Sequence, residues 1–198
     1  REVFKTLLQA LALVTLVTFL FLRTVRATLI PFVTIPVSLV GSFIFIYALD
    51  FSVNVLTLLG LVLAIGLVVD DAIVMLENVH RRVEQGMAPM AAAVAGSREI
   101  GFAIVAMTLT LATVFAPLAF MGGTTGRLFT EFAMAVSGAV LISGLVALTL
   151  TPMMCSRILR HEPRHGRVYN AIGYGLAQLT AFYGRLLRQT LKLRWLVL

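Results

Sequence analysis

Charged side chains are few in this sequence. Asp, Glu, Lys and Arg make up 13% of its 198 residues, about half of the share usual in a soluble domain. With 60% hydrophobic residues and a mean hydropathy of +0.99, the chain has too little polar surface to cover itself in water and reads as membrane-embedded. It has one cysteine, so no intrachain disulfide framework is available; Cys155 sits at the end of an apolar run and reads as a reduced structural thiol. His80, His161 and His165 have no further ligands at metal spacing, which argues against a zinc site. A Ser/His/Asp set and a dinucleotide fingerprint are both missing. The glycine-rich "MGGTTG" follows an apolar run and lacks the Lys-Ser/Thr ending of a phosphate loop. Neither enzymatic chemistry, a cofactor nor a metal is expected.

The charge that is present is unevenly signed, 16 Lys and Arg against 9 Asp and Glu. A net charge of +7 could suggest nucleic acid, but that requires a basic face. Here the basic residues gather between apolar runs, as topology signals do. About five runs are long enough to cross a bilayer, approximately Thr6–Leu22, Leu29–Leu49, Val53–Leu76, Ile100–Phe120 and Phe129–Met154. Arg23 and Arg26 occupy the first connection, Arg81, Arg82 and Arg98 the third, and a long series beginning at Arg157 follows the fifth run. The second connection, "LDFSVN", has no basic residue, and the fourth has only Arg127. By the positive-inside rule the first, third and last connections are cytoplasmic and the N-terminus is outside, a vote that Arg1 and Lys5 mildly oppose. The chain opens on Arg1, and Trp195–Leu198 looks like the first turn of a sixth span, so a piece of a longer polypeptide is expected.

Pro31, Pro36, Pro117 and Pro152 read as residues that bend or end these helices. Gly60, Gly66, Gly138 and Gly144 read as packing positions, since small residues let membrane helices approach closely. After Met154 the pattern changes. From Val168 to Leu191 apolar positions such as Ile172, Leu176, Leu179 and Tyr183 recur at helical spacing, with Gln178, Arg185, Arg188 and Lys192 between them. This pattern predicts an amphipathic helix lying along the cytoplasmic membrane surface.

Within "GLVVDDAIVMLENV", Asp70 and Asp71 interrupt an otherwise apolar run. A charge at the centre of a bilayer costs at least ~2.5–3.5 kcal/mol on insertion scales, so two neighbouring carboxylates there mark a proton or ion pathway. The apolar "AIVML" continues beyond them before Glu77 appears, which argues against a simple helix end in water. Helical spacing puts Gly66 one turn before Asp70 and Glu77 two turns after it on the same face, as possible supporting residues. Lys and Arg are absent from the spans at matching depth. The balancing cation therefore comes from a helix outside this sequence, or the pair is held protonated. A pair that alternates between those states suits a proton-driven machine.

"GLVVDDAIVMLENVHRR", "FLFLRTVRATLIPFVTIPVSLVGSF", "FAPLAFMGGTTGRLFTEFA" and "LTLTPMMCSRIL" together resemble the resistance-nodulation-division (RND) efflux transporters, inner-membrane components of Gram-negative multidrug pumps. Four blocks in family order cover essentially the whole chain. The resemblance implies an all-α polytopic membrane protein in which residues 1–155 form a bundle of about five helices, family helices two to six. Residues 156–192 would then be a cytoplasmic connection with the surface helix, and 193–198 the start of the next span. It further implies that Asp70 and Asp71 form half of a proton relay completed by a lysine from the tenth family helix, which lies outside this chain. Metal-exporting relatives tend to carry an Asp six residues before the first relay position and a Gly directly after it; here those positions are Ala64 and Asp71, as in the drug and amphiphile type. The partners implied are the lipid bilayer, a homotrimeric assembly, a periplasmic adaptor and an outer-membrane channel. Other exporters of the superfamily, for metal, lipid or protein, are the alternative, and a passive channel or helix scaffold in which the aspartates only bridge helices is a further one.

Overall fold

The computed structural model describes residues 2–22, 24–160 and 167–192. Its elements are six helices: α1 Glu2–Leu22, α2 Val25–Ala48, α3 Val55–Glu84, α4 Pro89–Ala119, α5 Gly123–Ile158 and α6 Arg167–Lys192. Among the described residues there is no strand. α2, α3, α4 and the Phe129–Ile158 part of α5 are long and apolar enough to cross a membrane, whereas α1 offers the shorter apolar run Leu8–Leu22. The five expected runs are thus five helices. Trp195–Leu198, His161 and His165 lie outside the described residues.

Local chemistry explains the helix ends. Asn54 caps α3: its Oδ1 accepts from the N–H groups of Leu56 and Thr57, both at 2.9 Å, while the Thr57 hydroxyl accepts from the Asn54 N–H at 2.8 Å. This reciprocal box satisfies donors that a helix start leaves orphaned. At the other end Arg81 and Arg82 fall in the last turn, where cations complement the helix dipole. Gly86 then takes a φ of +93°, which glycine adopts without strain, and Pro89 opens α4 at a position whose N–H needs no partner. α2 runs unbroken through Pro31 and Pro36, and α5 through Pro152; only Pro117 stands near a helix end.

The unit formed by residues 1–161 is built around α5, which packs on α2, α3 and α4. Its core has three parts. Toward the Arg81 end, Ile30 of α2, Met75 and Val79 of α3, Ile104 of α4 and Cys155 of α5 are buried together. Toward the Asn54 end, Ile46, Leu61, Ala64, Val68 and Ala139 join α2, α3 and α5. α1 leans on α2 and α3 through Leu11 and Val14 against Ile35, Ile65 and Val69. Leu13, Phe21, Phe102, Val114 and Leu145 are exposed, as side chains facing acyl chains must be.

Glycine makes the helix contacts close. A Cβ on Gly138 would collide with the Phe45 ring, and one on Gly60 would meet Val136 and Phe132 at 3.1 and 3.2 Å. Gly144 lies against Thr108, whose Oγ1 would be 2.5 Å from an added Cβ. Gly66 departs from the expectation. It is exposed with nothing within 4 Å of an added Cβ, because it lies on the side of α3 that no described helix covers.

α6 belongs to a second unit, residues 162–198. It is continuous from Arg167 to Lys192 despite Gly173, Gly175 and Gly184. Tyr183 and Leu187, one turn apart, are exposed, and Gln178 and Arg188 are exposed on another arc of the helix.

Candidate functional site

Successive residues of an α-helix point about 100° apart, so Asp70 and Asp71 cannot occupy one environment unless both sides of α3 are covered alike. They are not. Asp71 is buried to 3% exposure at the junction of α3, α4 and α5, while Asp70 is exposed. Asp71 is the seventeenth of the thirty residues of α3, counting from Val55, which puts it near the middle of a helix about 45 Å long.

Two hydroxyls from the neighbouring helices meet the turn of α3 that carries Asp71. Thr108 of α4 donates to Oδ2 across 3.5 Å, a long hydrogen bond. Ser143 of α5, 2% exposed, donates to the backbone carbonyl of Val68 at 2.8 Å. Val68 stands three residues before Asp71, so Ser143 grips the turn of α3 that carries the aspartate. Gly144, beside Ser143, leaves the space that the Thr108 side chain fills. A buried carboxylate with hydroxyl donors in an apolar bundle can hold either a charge or a proton. Hydroxyls can donate to its charged form and accept from its protonated form.

The uncovered face of α3 carries the remaining expected residues. Gly66, Asp70, Val74 and Glu77 recur at intervals of four, four and three residues and are all exposed. Spacing thus placed Glu77 and Gly66 on the same face as Asp70, away from Asp71. Among the described residues Asp70 makes no ion pair. An apolar helix in lipid that leaves one carboxylate uncovered at mid-depth calls for a further covering element. Among the described residues there is also no cluster of His, Cys, Asp and Glu able to hold a metal ion.

Two polar knots flank the aspartates along α3. At the Asn54 end, Glu131 of α5 accepts from Ser52 at 2.9 Å and from the Asn54 amide, tying the cap of α3 to α5. At the other end, the buried Asn78 donates to Glu99 of α4 at 3.2 Å and accepts from Arg82 Nε at 3.0 Å, while Arg82 also pairs directly with Glu99. Arg82 and Glu99 are partly exposed, so this pair contributes little by charge alone. Gly96 of α4 sits against Val79, which lets the two helices close over Asn78.

Sequence reasoning did not single out Thr108, Ser143, Asn78, Glu99 or Glu131. The signal for the first two was present: hydroxyl residues inside the apolar runs "AMTLTLA" and "LISGLV", the second directly before a glycine. Interhelical hydrogen bonds of this kind are worth about 0.6 kcal/mol on average in membrane bundles, so their value here is in placement more than in stability.

The Multidrug resistance protein MdtC of Escherichia coli O139:H28 (strain E24377A / ETEC) is 50% identical over 192 residues, which is 96% of this chain and 19% of that protein. The protein of the same name from Pantoea ananatis (strain AJ13355) is 50% identical over 200 residues, 100% of this chain and 20% of its own length. The chain therefore spans about a fifth of the length of the curated relatives it matches. The pattern of the AcrB/AcrD/AcrF family matches residues 1–198. A helical membrane bundle with paired aspartates in its central helix, matched over its whole length by that pattern, belongs to the AcrB/AcrD/AcrF family of RND multidrug efflux transporters.

Proposed function

We propose that this chain is part of the proton-translocating transmembrane domain of a secondary active transporter in the bacterial inner membrane, exchanging protons for hydrophobic or amphiphilic drugs across the Gram-negative envelope. The observation that carries the reading is the position of Asp71, buried among hydroxyls at a three-helix junction, beside an Asp70 that faces the uncovered side of α3. Intramembrane carboxylates of this kind serve proton pathways. Asp70 and Asp71 take up a proton from the outer side, lose their pairing with a lysine from a helix outside this chain, and release the proton inward as the helices shift. The proton gradient supplies the energy, and no cofactor is required. The MdtC proteins are named for multidrug resistance, which fits a drug as cargo. The full transporter works as a homotrimer with a periplasmic adaptor and an outer-membrane channel.

The test is made in a full-length transporter carrying these residues. Asp70→Asn and Asp71→Asn are each expected to abolish drug efflux while membrane insertion persists, because an amide neither takes up a proton nor pairs with a lysine. Glu77→Gln is expected to be milder, since Glu77 lies two turns nearer the Arg81 end. Drug susceptibility and proton-coupled efflux in vesicles, with expression checked by immunoblot, are the readouts. Gradient-dependent efflux near the wild-type level from both aspartate variants would overturn the relay and favour a scaffold.

A further inference from the structure

From Pro163 to Leu198 the sequence has no Asp or Glu, while α6 carries Arg167, Arg185, Arg188 and Lys192. A helix with cations and no anion cannot offset its charge by pairs along its own length. Among the described residues neither Arg185 nor Arg188 makes an ion pair, and both are exposed. Arg185 donates from Nε to the Ala181 carbonyl at 3.4 Å, one turn back, which uses one of the five N–H donors of a guanidinium group. Arg185 and Arg188 are three positions apart, so the two charges stand on one arc of the helix, and position 192 continues the spacing.

The rest of α6 narrows where that charge can go. Its 26 residues are enough for a crossing, but it is not among the helices apolar enough to make one. Nor does it suit water alone, because Phe182, Tyr183 and Leu187 are 59%, 61% and 42% exposed. A helix with bulky apolar side chains on one arc and cations on another belongs at a boundary between hydrocarbon and charge. Aromatic residues settle at headgroup level, which puts the arginines of the same helix beside phosphates, and guanidinium groups bind phosphate oxygens in pairs.

We infer that α6 is a docking surface for anionic glycerophospholipids: Phe182, Tyr183 and Leu187 enter the acyl region, and Arg185 and Arg188 hold the headgroup phosphates. Charge complementarity selects this occupant. A zwitterionic headgroup brings its own ammonium to the phosphate and offers no net charge to a helix that has only cations. A protein partner would need an acidic face and an apolar groove together. By the positive-inside rule the leaflet is the cytoplasmic one, since α6 lies in the basic series that begins at Arg157. Nothing in this inference depends on the aspartates of α3.

The test uses the full-length transporter in vesicles of phosphatidylcholine with a minority of phosphatidylglycerol. A bimane fluorophore is attached at Gln189→Cys, an exposed position next to Arg188, with other reactive cysteines removed. Bromine is carried on the acyl chains either of the phosphatidylglycerol or of an equal mole fraction of the phosphatidylcholine, so the two vesicles differ only in which lipid quenches. Brominated phosphatidylglycerol is expected to quench as if enriched about fivefold per engaged cation at low salt, and to approach equality at molar salt, where the screening length is about 3 Å. Arg185→Gln combined with Arg188→Gln is expected to cut the enrichment by about fivefold or more, whereas Arg185→Lys with Arg188→Lys keeps most of it. If the glutamine variant does not accumulate, the salt series on the wild type carries the test. Equal quenching by the two brominated lipids overturns the inference and leaves a lipid surface without charge selection. Quenching by neither overturns it by placing protein or water over α6. Enrichment that survives molar salt or the loss of both arginines also overturns it, by assigning the anionic lipid to another part of the transporter.

Discussion

Asp70 and Asp71 share a peptide bond but not an environment: Asp71 is buried between Thr108 and Ser143, and Asp70 is exposed on the uncovered face of α3. A pair split in this way can face two partners at once. Asp71 addresses α4 and α5 of its own bundle. Asp70 is left for whatever covers the other face.

The split makes the two aspartates unequal to an added methylene. Asp71→Glu forces extra volume into a packed junction, and overpacking costs about 1–3 kcal/mol. Asp70→Glu extends toward an interface where a long cationic side chain can adjust. Efflux at matched expression is therefore expected to fall much further for Asp71→Glu than for Asp70→Glu. Equal losses would contradict the asymmetry.

The glycines of the bundle are expected to separate in the same manner. Gly138→Ala drives a Cβ into the Phe45 ring, whereas Gly66→Ala meets nothing within 4 Å. Thermal unfolding of the purified transporter should show a loss of about 1–3 kcal/mol for Gly138→Ala. Gly66→Ala should stay within about 0.5 kcal/mol of wild type. A large loss at Gly66 would mean that another helix packs on it as tightly as α2 packs on Gly138.

Asn78 is the buried member of the knot joining α3 to α4. Asn78→Ala removes its bonds to both Arg82 and Glu99 and is expected to cost about 1–2 kcal/mol. Glu99→Gln should matter less and lose its effect in high salt, because that side chain is half exposed. A reversal of this order would place the strength of the knot in its surface charge.

Much of this bundle was legible in the sequence because a bilayer allows few solutions. Apolar runs of sufficient length must be helices there, and each of the runs read from hydropathy is one. Hydropathy underestimated the helices at their polar ends. α3 runs to Glu84 instead of stopping near Leu76, and α4 starts at Pro89, eleven residues before Ile100. Those turns lie beyond the apolar stretch, where capping, the helix dipole and the glycine and proline of "EQGMAP" set the boundary. The hydroxyls around Asp71 were visible as polar residues inside apolar runs, but their convergence on it was not legible. Thr108 and Ser143 come from 37 and 72 positions away, counted from residue 71, and only the packing of three helices brings them together. Gly66 has no neighbour among the described helices; spacing identifies a face of a helix without saying what covers it.

Orientation follows from charge and can be checked with the thiol already in the chain. The connection Leu49–Asn54 has no basic residue, whereas Arg81 and Arg82 precede the Gln85–Ala88 turn, so the first is expected in the periplasm and the second in the cytoplasm. Cys155 is free but buried, and a thiol reacts only where reagent reaches it, so it is expected to remain silent until the protein is denatured. Single cysteines introduced as Ser52→Cys and Gln85→Cys in the full-length transporter then report their own positions against a quiet background. Both sites are exposed turns, so a failure to label reflects the membrane barrier more than burial. A membrane-impermeant maleimide added to intact cells with a permeabilised outer membrane should modify position 52 and spare position 85, and both should react once the inner membrane is opened. The opposite pattern in intact cells would invert the bundle. It would also place the Arg81 end of α3 outside, reversing the direction in which the aspartates could pass a proton.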